Sequence, residues 1–475
     1  MKFGGTSVAD AAAFDNVALI VAERIDSRPV AVVSAMSGMT DALVASAEFA
    51  QSGETERAIA SLDAMFDRHR PIASVLLDQI SQSEFINQLK ATADEIAKLL
   101  LAIHEEPGNR PRLKDELLSF GERLSSDLLT RVLVSRGIQS TTIDARHCIV
   151  TNEDHGSASP LLSETALRTQ TVLSPLLDSD VVPVVGGFFA ATRSGVTTTL
   201  GRGGSDYTAA ILGAALDCEE IQIWTDVSGV LTADPRVVPQ AQTVERLSYG
   251  EAAELAYFGA KVLHPKTIQP AIEKNIPVRI CNSHLPDERG TLVCAQTETS
   301  PRTLKAIAHK SGVTTVQITS ARMLGAYGFL RALFEVFEKH RTVVDVVTTS
   351  EVSVSLSLDD DTALPSILAD LNSLGTVGVE RSRAIICVVG EGLRGTPGIA
   401  ARVFSTISDI NVTLISQGAS SINFTFAIEE ERAHEAVRRL HHEFFEEERD
   451  VTLLGKHSTA ERERQRPIST NPALN

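Results

Sequence analysis

The sequence lacks the features that would place the protein in a membrane, outside the cell or on nucleic acid. No window has the unbroken apolar run that a bilayer span requires, and no apolar stretch follows a basic start, so we predict no secretion signal. Five cysteines, an odd number without a CxxC pair, indicate a reduced, cytoplasmic protein without a zinc site. The net charge of −17 argues against a nucleic-acid partner, because such proteins present basic faces.

Two familiar phosphoryl-transfer signatures are also missing. The chain has no Walker A sequence and no protein-kinase HRD and DFG pair. One GxGxxG match, Gly390 to Gly395, follows an apolar run, but no acid closes a following strand at the required distance, so we interpret it as an ordinary loop. Since an acidic surface repels anions, any anion site must be built locally from lysine, arginine and backbone N–H groups.

Residues 1–295 alternate short apolar runs with helical periodicity. "PVAVVSAMSG", "STTID", "VVPVVGGFFA", "EEIQIWTDVSG" and "IPVRICNS" are typical of strands, and "TDALVASAEFA" and "LLSFGERLSSDLLTRVLVSRG" of helices. This alternation predicts a mostly parallel sheet covered on both faces, with ligands at the carboxyl ends of its strands. We interpret the polar stretch 295–303 as a linker and predict that the tail 455–475 is disordered.

An internal repeat lies between linker and tail. The stretch from Gly328 aligns without a gap on the stretch from Gly398, an offset of 398 − 328 = 70 residues. Each copy is predicted to be a strand, a glycine loop, an amphipathic helix and two more strands, a βαββ unit. We predict that one helix buries the stripe Leu330, Leu333, Phe334 and Phe337. Each copy of the repeat is predicted to form its own domain, 304–383 for the first copy and 384–452 for the second.

The segment "TTTLGRGGSDYTAAILGAAL" (197–216) carries the strongest chemical signal. Its glycines let the backbone approach a ligand closely. Ser205 is predicted to cap the helix that follows, where exposed N–H groups attract phosphate or carboxylate. Arg202 offers a fork that matches a carboxylate, and Asp206 can hold an ammonium group. A plain capped turn would need neither the arginine nor three glycines, so we predict a site that binds both ends of an amino acid, or an amino acid beside a phosphate.

Three other segments are weak signals taken singly. The opening "MKFGGTSV" places one lysine before two glycines and two hydroxyls, as an anion-binding loop would. "WTDVSGVLTADPR" (224–236) follows a strand, and its Asp and Pro residues are also common in turns. "YFGAKVLHPKT" (257–267) places Lys261 behind a glycine, although a lone lysine is usually solvated.

Taken together, these motifs resemble the aspartokinases of the amino-acid kinase family. "KFGGTS", "SFGERLS", "GRGGSDYTA", "WTDVSGVLTADPR" and "FGAKVLHPKT" match that family in order, and the repeat looks like its two C-terminal ACT domains. The resemblance implies an α/β chain with a three-layer αβα kinase domain (1–295) followed by two tandem ACT-like domains. It also implies phosphorylation of the side-chain carboxylate of L-aspartate by ATP, the first step towards lysine, threonine and methionine.

The resemblance also implies roles for individual residues. Lys2 would neutralise the transferring phosphoryl group while Gly4 and Gly5, in a loop after the first strand, donate N–H groups to it, with Asp206 as a further catalytic residue. Mg²⁺ would bridge the ATP phosphates, held mostly by ATP oxygens and water. Aspartate would be held by Thr40, Glu122, Arg202, Gly203, Ser205 and Asp206. ATP would be held by Lys2, Gly5, Thr6, Ser7, Thr225, Asp226, Arg236 and Lys261.

Two further expectations follow from the resemblance: feedback control by lysine, and a homodimer or higher homo-oligomer formed through the ACT domains. Asp345 and Glu351 suit the two ammonium groups of lysine, and the second repeat has Ile415 and Ser421 in their places. Two alternatives stay open at this point: a non-catalytic amino-acid sensor, and a kinase acting on glutamate or acetylglutamate. The predicted effector residues are Met323, Gly328, Phe329, Leu330, Val343, Val344, Asp345, Thr349, Ser350 and Glu351.

Overall fold

The computed structural model describes residues 1–259, 263, 265–295, 304–325, 327–418 and 420–446. These residues divide into two compact units. The first comprises 1–230, 243–256 and 261–298, and the second comprises 231–242, 257–260 and the chain from 299 onwards. The linker and tail predictions fall almost wholly outside the described residues. None of the helices in the described ranges has the length and apolar character of a membrane span.

The first unit is built on an eight-stranded, largely parallel sheet of order β3-β5-β2-β1-β8-β10-β11-β9. All neighbours in it are parallel except the pair β10 and β11. The strands are β1 (Lys2–Phe3), β2 (Ala31–Val33), β3 (Ser140–Ile143), β5 (Val182–Gly186), β8 (Ile221–Thr225), β9 (Arg246–Ser248), β10 (Val278–Asn282) and β11 (Thr291–Cys294). A three-stranded sheet contains β4 (Val150–Thr151), β6 (Phe189–Thr192) and β7 (Thr197–Thr199).

Ten helices accompany these strands. They are α1 (Ala11–Ala22), α2 (Met39–Gln51), α3 (Thr55–Asp67), α4 (His69–Leu76), α5 (Gln79–Glu105), α6 (Arg110–Ser135), α7 (Leu162–Leu177), α8 (Gly204–Ala215), α9 (Tyr249–Tyr257) and α10 (Gln269–Glu273). Alternate strand residues such as Phe3, Val33 and Trp224 pack in one core with α1 to α6. The strand residues that alternate with these face the other side of the sheet and are mostly buried as well. Helices α7 and α8 contact strands of the sheet. The predicted αβα arrangement is therefore confirmed.

Two local predictions in this unit need correction. Lys2 lies within β1, which has only two residues, and Gly5–Val8 form a turn of 3₁₀ helix, so the lysine precedes the loop instead of belonging to it. Ser205 is not the cap of α8, because that helix already begins at Gly204 behind Gly203, whose φ of 74° is left-handed. A glycine adopts this conformation without strain. Gly203 therefore takes the cap position, and the helix begins before Ser205.

The second unit contains one six-stranded antiparallel sheet shared by both repeats, of order β13-β14-β12-β15-β17-β16. Each repeat also has a second helix, which the βαββ prediction omitted. The elements are β12 (Leu304–Thr319), α11 (Phe329–Lys339), β13 (Val347–Thr349), β14 (Ser353–Leu358), α12 (Leu364–Leu371), β15 (Thr376–Gly390), α13 (Ile399–Thr406), β16 (Val412–Gln417), β17 (Asn423–Glu429) and α14 (Ala433–His441). The long strands β12 and β15 pair along almost their whole length, with register shifts.

The helix stripe predicted for α11 is only half buried. Leu333 and Phe337 are in the core, whereas Leu330 and Phe334 are 41% and 38% exposed. The periodicity identified an apolar face correctly, but that face is wider than the surface that the sheet of this chain can cover.

Candidate active site

The candidate site lies at the carboxyl ends of four adjacent strands, β5, β2, β1 and β8. Gly4 follows β1, Ser34 follows β2, Gly187 follows β5 and Asp226 follows β8. These strands run parallel in neighbouring positions, so their following loops meet at one edge of the sheet. Of the residues predicted for aspartate and ATP, Gly5, Thr6, Ser7 and Asp226 fall on these loops and Thr40 on the helix that follows β2, whereas the stretch 202–206 follows β7 of the smaller sheet.

The backbone after β1 is fixed by its neighbours. The N–H of Gly4 donates to the Trp224 carbonyl at 3.0 Å, so it does not point freely at a phosphoryl group as predicted. A Cβ on Gly5 would lie 2.9 Å from the Ala35 carbonyl oxygen, which explains why a glycine is needed there. The Ser7 hydroxyl donates to the Ser283 hydroxyl at 2.8 Å.

Lys2 and Asp206 form the central ion pair of the site. The Lys2 Nζ lies 2.6 Å from Oδ1 of Asp206, and the two side chains are only 12% and 17% exposed. Asp206 stands in the first turn of α8, which contacts β1. Because both groups are largely shielded from water, this pair is screened less than a surface pair and holds the ammonium in one position.

Glu122 places a second carboxyl group beside Lys2. It lies on α6 and is buried, and burial raises its pKa to about 8, although the Ala35 N–H and the Lys2 charge act in the opposite direction. Its Oε2 accepts no hydrogen bond from any residue in the described ranges. A Cβ on Gly121 would meet the Ala35 side chain at 2.7 Å, so this glycine lets α6 approach the chain after β2. A buried carboxyl oxygen without a partner is suited to a cationic ligand group.

The turn before α8 is tightly interlocked with the loop after β5. A Cβ on Gly204 would lie 2.7 Å from the Phe188 ring, and one on Gly187 would lie 2.7 Å from the Ser205 side chain. The N–H of Phe188 donates to the Thr208 hydroxyl at 3.0 Å. Arg202 is exposed at this turn. The turn is therefore rigid at its base, and its arginine is accessible to a ligand.

The remaining predicted residues lie in several different parts of the chain. Thr40 is the second residue of α2, Thr6 is exposed, and the Thr225 hydroxyl donates to the Asp226 carboxylate at 3.1 Å at the end of β8. Arg236 belongs to the second unit, where its guanidinium binds the Asp234 carboxylate. Lys261 lies outside the described residues.

Some residues at this edge were missed by sequence reasoning. Ser283 follows β10, and besides the Ser7 contact its N–H and hydroxyl donate to the Thr225 carbonyl at 2.7 and 3.0 Å. The Asn282 side chain donates to the Ser228 hydroxyl at 3.0 Å. The available signal was the polar end of "IPVRICNS", since an Asn and a Ser directly after a buried parallel strand fall at the ligand-binding edge.

The predicted effector residues lie in the first repeat of the second unit. Met323 ends a short 3₁₀ helix, Gly328 precedes α11 with a left-handed φ of 82°, and Ser350 turns the chain between β13 and β14. The two acids differ in environment. Glu351 is exposed, whereas the Asp345 side chain is 2% exposed. The others are Phe329 and Leu330 at the start of α11, Val343 and Val344 before β13, and Thr349 at its end.

Asp345 lies in a small charged cluster. The Lys310 Nζ is 3.6 Å from its Oδ2 and also contacts the Asp359 carboxylate. Burial, followed by the neighbouring Asp359 carboxyl group, raises the pKa of Asp345. The Lys310 ammonium also lies 4.8 Å from the centre of the Tyr257 ring. Asp345 therefore already faces an ammonium group supplied by the chain itself.

Comparison with known proteins finds relatives over almost the whole chain. Residues 1–282 match the amino acid kinase family and residues 386–444 match an ACT domain. The lysine-sensitive aspartokinase 3 of Escherichia coli is 40% identical over 458 residues, which cover 94% of this chain and 98% of that protein. The crystal structure of E. coli aspartokinase III with aspartate and ADP (R-state) has a TM-score of 0.78 at 38% identity, covering 94% of this chain and 99% of that one. The crystal structure of E. coli aspartokinase III with lysine and aspartate (T-state) has a TM-score of 0.79 at 39% sequence identity. It covers the same shares of the two chains.

Proposed function

This chain belongs to the aspartokinases of the amino acid kinase family, enzymes that use ATP to phosphorylate the side-chain carboxylate of L-aspartate, and we propose that Lys2, Asp206 and Glu122 form the centre of its active site. The observation that carries the proposal is the Lys2 ammonium. It faces the Asp206 carboxylate at 2.6 Å, and its charge also acts on Glu122, a buried carboxyl group whose Oε2 accepts no hydrogen bond from the described residues. This arrangement places a fixed positive charge beside a buried carboxyl group that can accept from an ammonium group of the substrate.

The chemistry needs charge neutralisation more than proton transfer. The aspartate side-chain carboxylate is ionised at neutral pH and attacks phosphorus directly; its new P–O bond forms while the bond to the ADP oxygen breaks. No proton moves in this step, so a general base is not required. Lys2 would stabilise the charge that shifts onto the leaving oxygen, and Asp206 would hold the Lys2 ammonium in place. Glu122 would bind the ammonium of aspartate, and Arg202 one of its carboxylates.

Mg²⁺ fits this site as part of the nucleotide substrate. No group of three possible metal-ligating side chains lies together in the described part of the chain. A magnesium ion prefers phosphate oxygens and several waters in its octahedron, so it would enter as MgATP. Thr6, Thr225 and Asp226 are exposed or half-buried at the same strand edge and are available to the nucleotide.

A coupled ADP-release assay with a panel of acceptors tests the proposed function. We expect turnover with L-aspartate and little with L-glutamate or N-acetylglutamate. Turnover with glutamate derivatives alone would identify a different amino acid kinase. Binding of amino acids without ADP release from any of them would favour the sensor alternative.

Arg202→Ala should raise the KM for aspartate far more than the KM for ATP. The exposed guanidinium would bind a carboxylate of the amino acid, and losing a charge-assisted hydrogen bond costs about 1.5–3 kcal/mol, roughly ten- to a hundredfold in KM. Steady-state kinetics with each substrate varied in turn provide the measurement. A defect mainly in the KM for ATP would move Arg202 to the nucleotide pocket.

We also propose that lysine inhibits the enzyme by binding the first repeat, at Asp345. The E. coli relative is named lysine-sensitive, and the buried Asp345 carboxyl already attracts the Lys310 ammonium. A homodimer through the second unit would cover the exposed apolar residues there, among them Leu324, Leu330, Phe334 and Val343. Lysine would prefer a less active state of the enzyme and so lower turnover without touching the substrates.

Asp345→Ala should weaken lysine inhibition at least tenfold, which is about 1.4 kcal/mol, with kcat almost unchanged. Lys310→Met should act in the opposite direction, because it removes an ammonium group of the chain that competes for the same carboxylate. Inhibition curves for lysine, threonine and methionine on wild type and both variants provide the measurement. Asp360→Ala is the control, since Asp360 is an exposed acid in the same unit that only bonds Thr362.

Inhibition by threonine alone would overturn the lysine assignment. Equal weakening by Asp345→Ala and Asp360→Ala would show that net charge matters and that Asp345 has no special contact. Absence of inhibition by all three amino acids would leave the repeats as an assembly module.

A further inference from the structure

The three threonines that lead into the Arg202 turn are each tied to a different element. The Thr197 hydroxyl accepts from Arg146 at 3.0 Å, Thr198 and Thr151 share a hydrogen bond of 2.7 Å, and the Thr199 hydroxyl donates to Asp115 at 2.6 Å. β7 is an edge strand with β6 as its only partner within its sheet. Its position is therefore fixed by side chains as much as by backbone hydrogen bonds.

Asp115 is the more deeply buried of the two charged anchors. Its side chain is 1% exposed and lies on α6. Besides Thr199, it accepts from the N–H of Gly156 at 3.1 Å and lies 2.7 Å from Nδ1 of His155. One carboxylate thus joins helix α6, strand β7 and the loop 152–159. A buried charged group with this many donors holds its surroundings in one arrangement.

The loop 152–159 forms the wall behind the Arg202 turn. A Cβ on Gly201 would lie 3.4 Å from the Gly156 carbonyl oxygen and from the Ser157 side chain. The N–H of Ala158 donates to the Thr199 carbonyl at 2.8 Å. The turn is therefore supported by a loop whose own position depends on Asp115.

We infer that Asp115, assisted by His155, is a positioning residue that sets the distance between the two ends of the aspartate site. It stands seven residues before Glu122, two turns away on the same face of α6. Glu122 would bind the ammonium group of the substrate. The contacts of Asp115 with Thr199 and Gly156 support the turn that carries Arg202, and Arg202 would bind a carboxylate of the substrate. A single rigid helix then fixes both ends, which favours a four-carbon acid over one with an extra methylene. This inference rests on the proposed function and adds Asp115 and His155, which touch no substrate.

The experiment compares Asp115→Asn, Thr199→Val and Thr199→Ser in the coupled assay, with aspartate, glutamate and ATP varied separately. We expect Asp115→Asn and Thr199→Val to raise the KM for aspartate at least tenfold while the KM for ATP changes less than twofold. The ratio of kcat/KM for aspartate to that for glutamate should fall. Thr199→Ser keeps the hydroxyl donor. Its KM for aspartate and its ratio of kcat/KM for aspartate to that for glutamate should therefore both stay near wild type. Thr142→Val, which deletes another hydroxyl pair in the same unit, is the matched control.

Equal rises in both KM values, or a lower melting temperature with unchanged KM values, would show that Asp115 is merely structural. If Asp115→Asn does not fold, the two Thr199 variants still decide the question. A wild type without aspartate kinase activity would refute the proposed function itself, so the two failures are distinguishable.

Discussion

Lys2→Ala should lower kcat at least about a thousandfold, on the order of 4 kcal/mol of transition-state stabilisation. The Lys2 ammonium is held at 2.6 Å by Asp206 and is only 12% exposed, so its charge acts in a poorly screened environment. No other lysine or arginine in the described residues contacts Asp206. The loss should therefore appear in kcat, with the KM for both substrates changing much less, because charge develops mainly in the transition state.

Lys274→Ala is the matched control, since Lys274 makes an exposed ion pair with Asp217 in the same unit. It should keep wild-type kcat, because an exposed pair of this kind contributes little. Circular dichroism and melting curves on both variants check that the fold survives. A Lys2→Ala enzyme that retains wild-type kcat would remove Lys2 from the chemistry and leave its pair with Asp206 as a structural contact.

Part of the site could be predicted because several motifs fall directly after a strand, namely those that follow β1, β7 and β8. The position of Asp206 and Arg202 beside a glycine-rich turn follows from local pattern, and the parallel sheet brings separate turns to one edge. The pairing of Lys2 with Asp206 could not be predicted in this way. It depends on β1 lying between β2 and β8, which is a matter of strand order and leaves no local signal.

Other features were missed because they depend on neighbours remote in sequence. The N–H of Gly4 is bound by Trp224, more than two hundred residues away. Asp115 carries no local sequence signal, and its contacts come from β7 and the loop 152–159, which are remote in sequence. Leu330 was predicted to be buried from its period alone, which indicates an apolar face without saying what covers it.

Glu122→Gln should raise the KM for aspartate roughly thirtyfold or more, because removing the charge that faces a buried ammonium costs about 2–5 kcal/mol. The wild-type KM should also depend on pH. Burial raises the pKa of Glu122 to about 8, so below pH 8 the carboxyl is protonated before aspartate binds. An ammonium ligand favours the ionised form, so binding releases a proton, and the KM should fall by up to about tenfold per unit as pH rises from 6 to 8.

The Glu122→Gln profile should be flat over the same range, because glutamine does not titrate there. Comparing the two enzymes separates Glu122 from every other titrating group, because both enzymes retain those groups. Glu106→Gln, which alters an exposed glutamate bonded to Asn109, should keep the wild-type profile and KM. A wild-type KM that does not change between pH 6 and 8, together with a normal KM in Glu122→Gln, would place the ammonium of aspartate elsewhere. Asp206 would then have to bind both the substrate and Lys2, and Lys2 would lose its fixed position at each turnover.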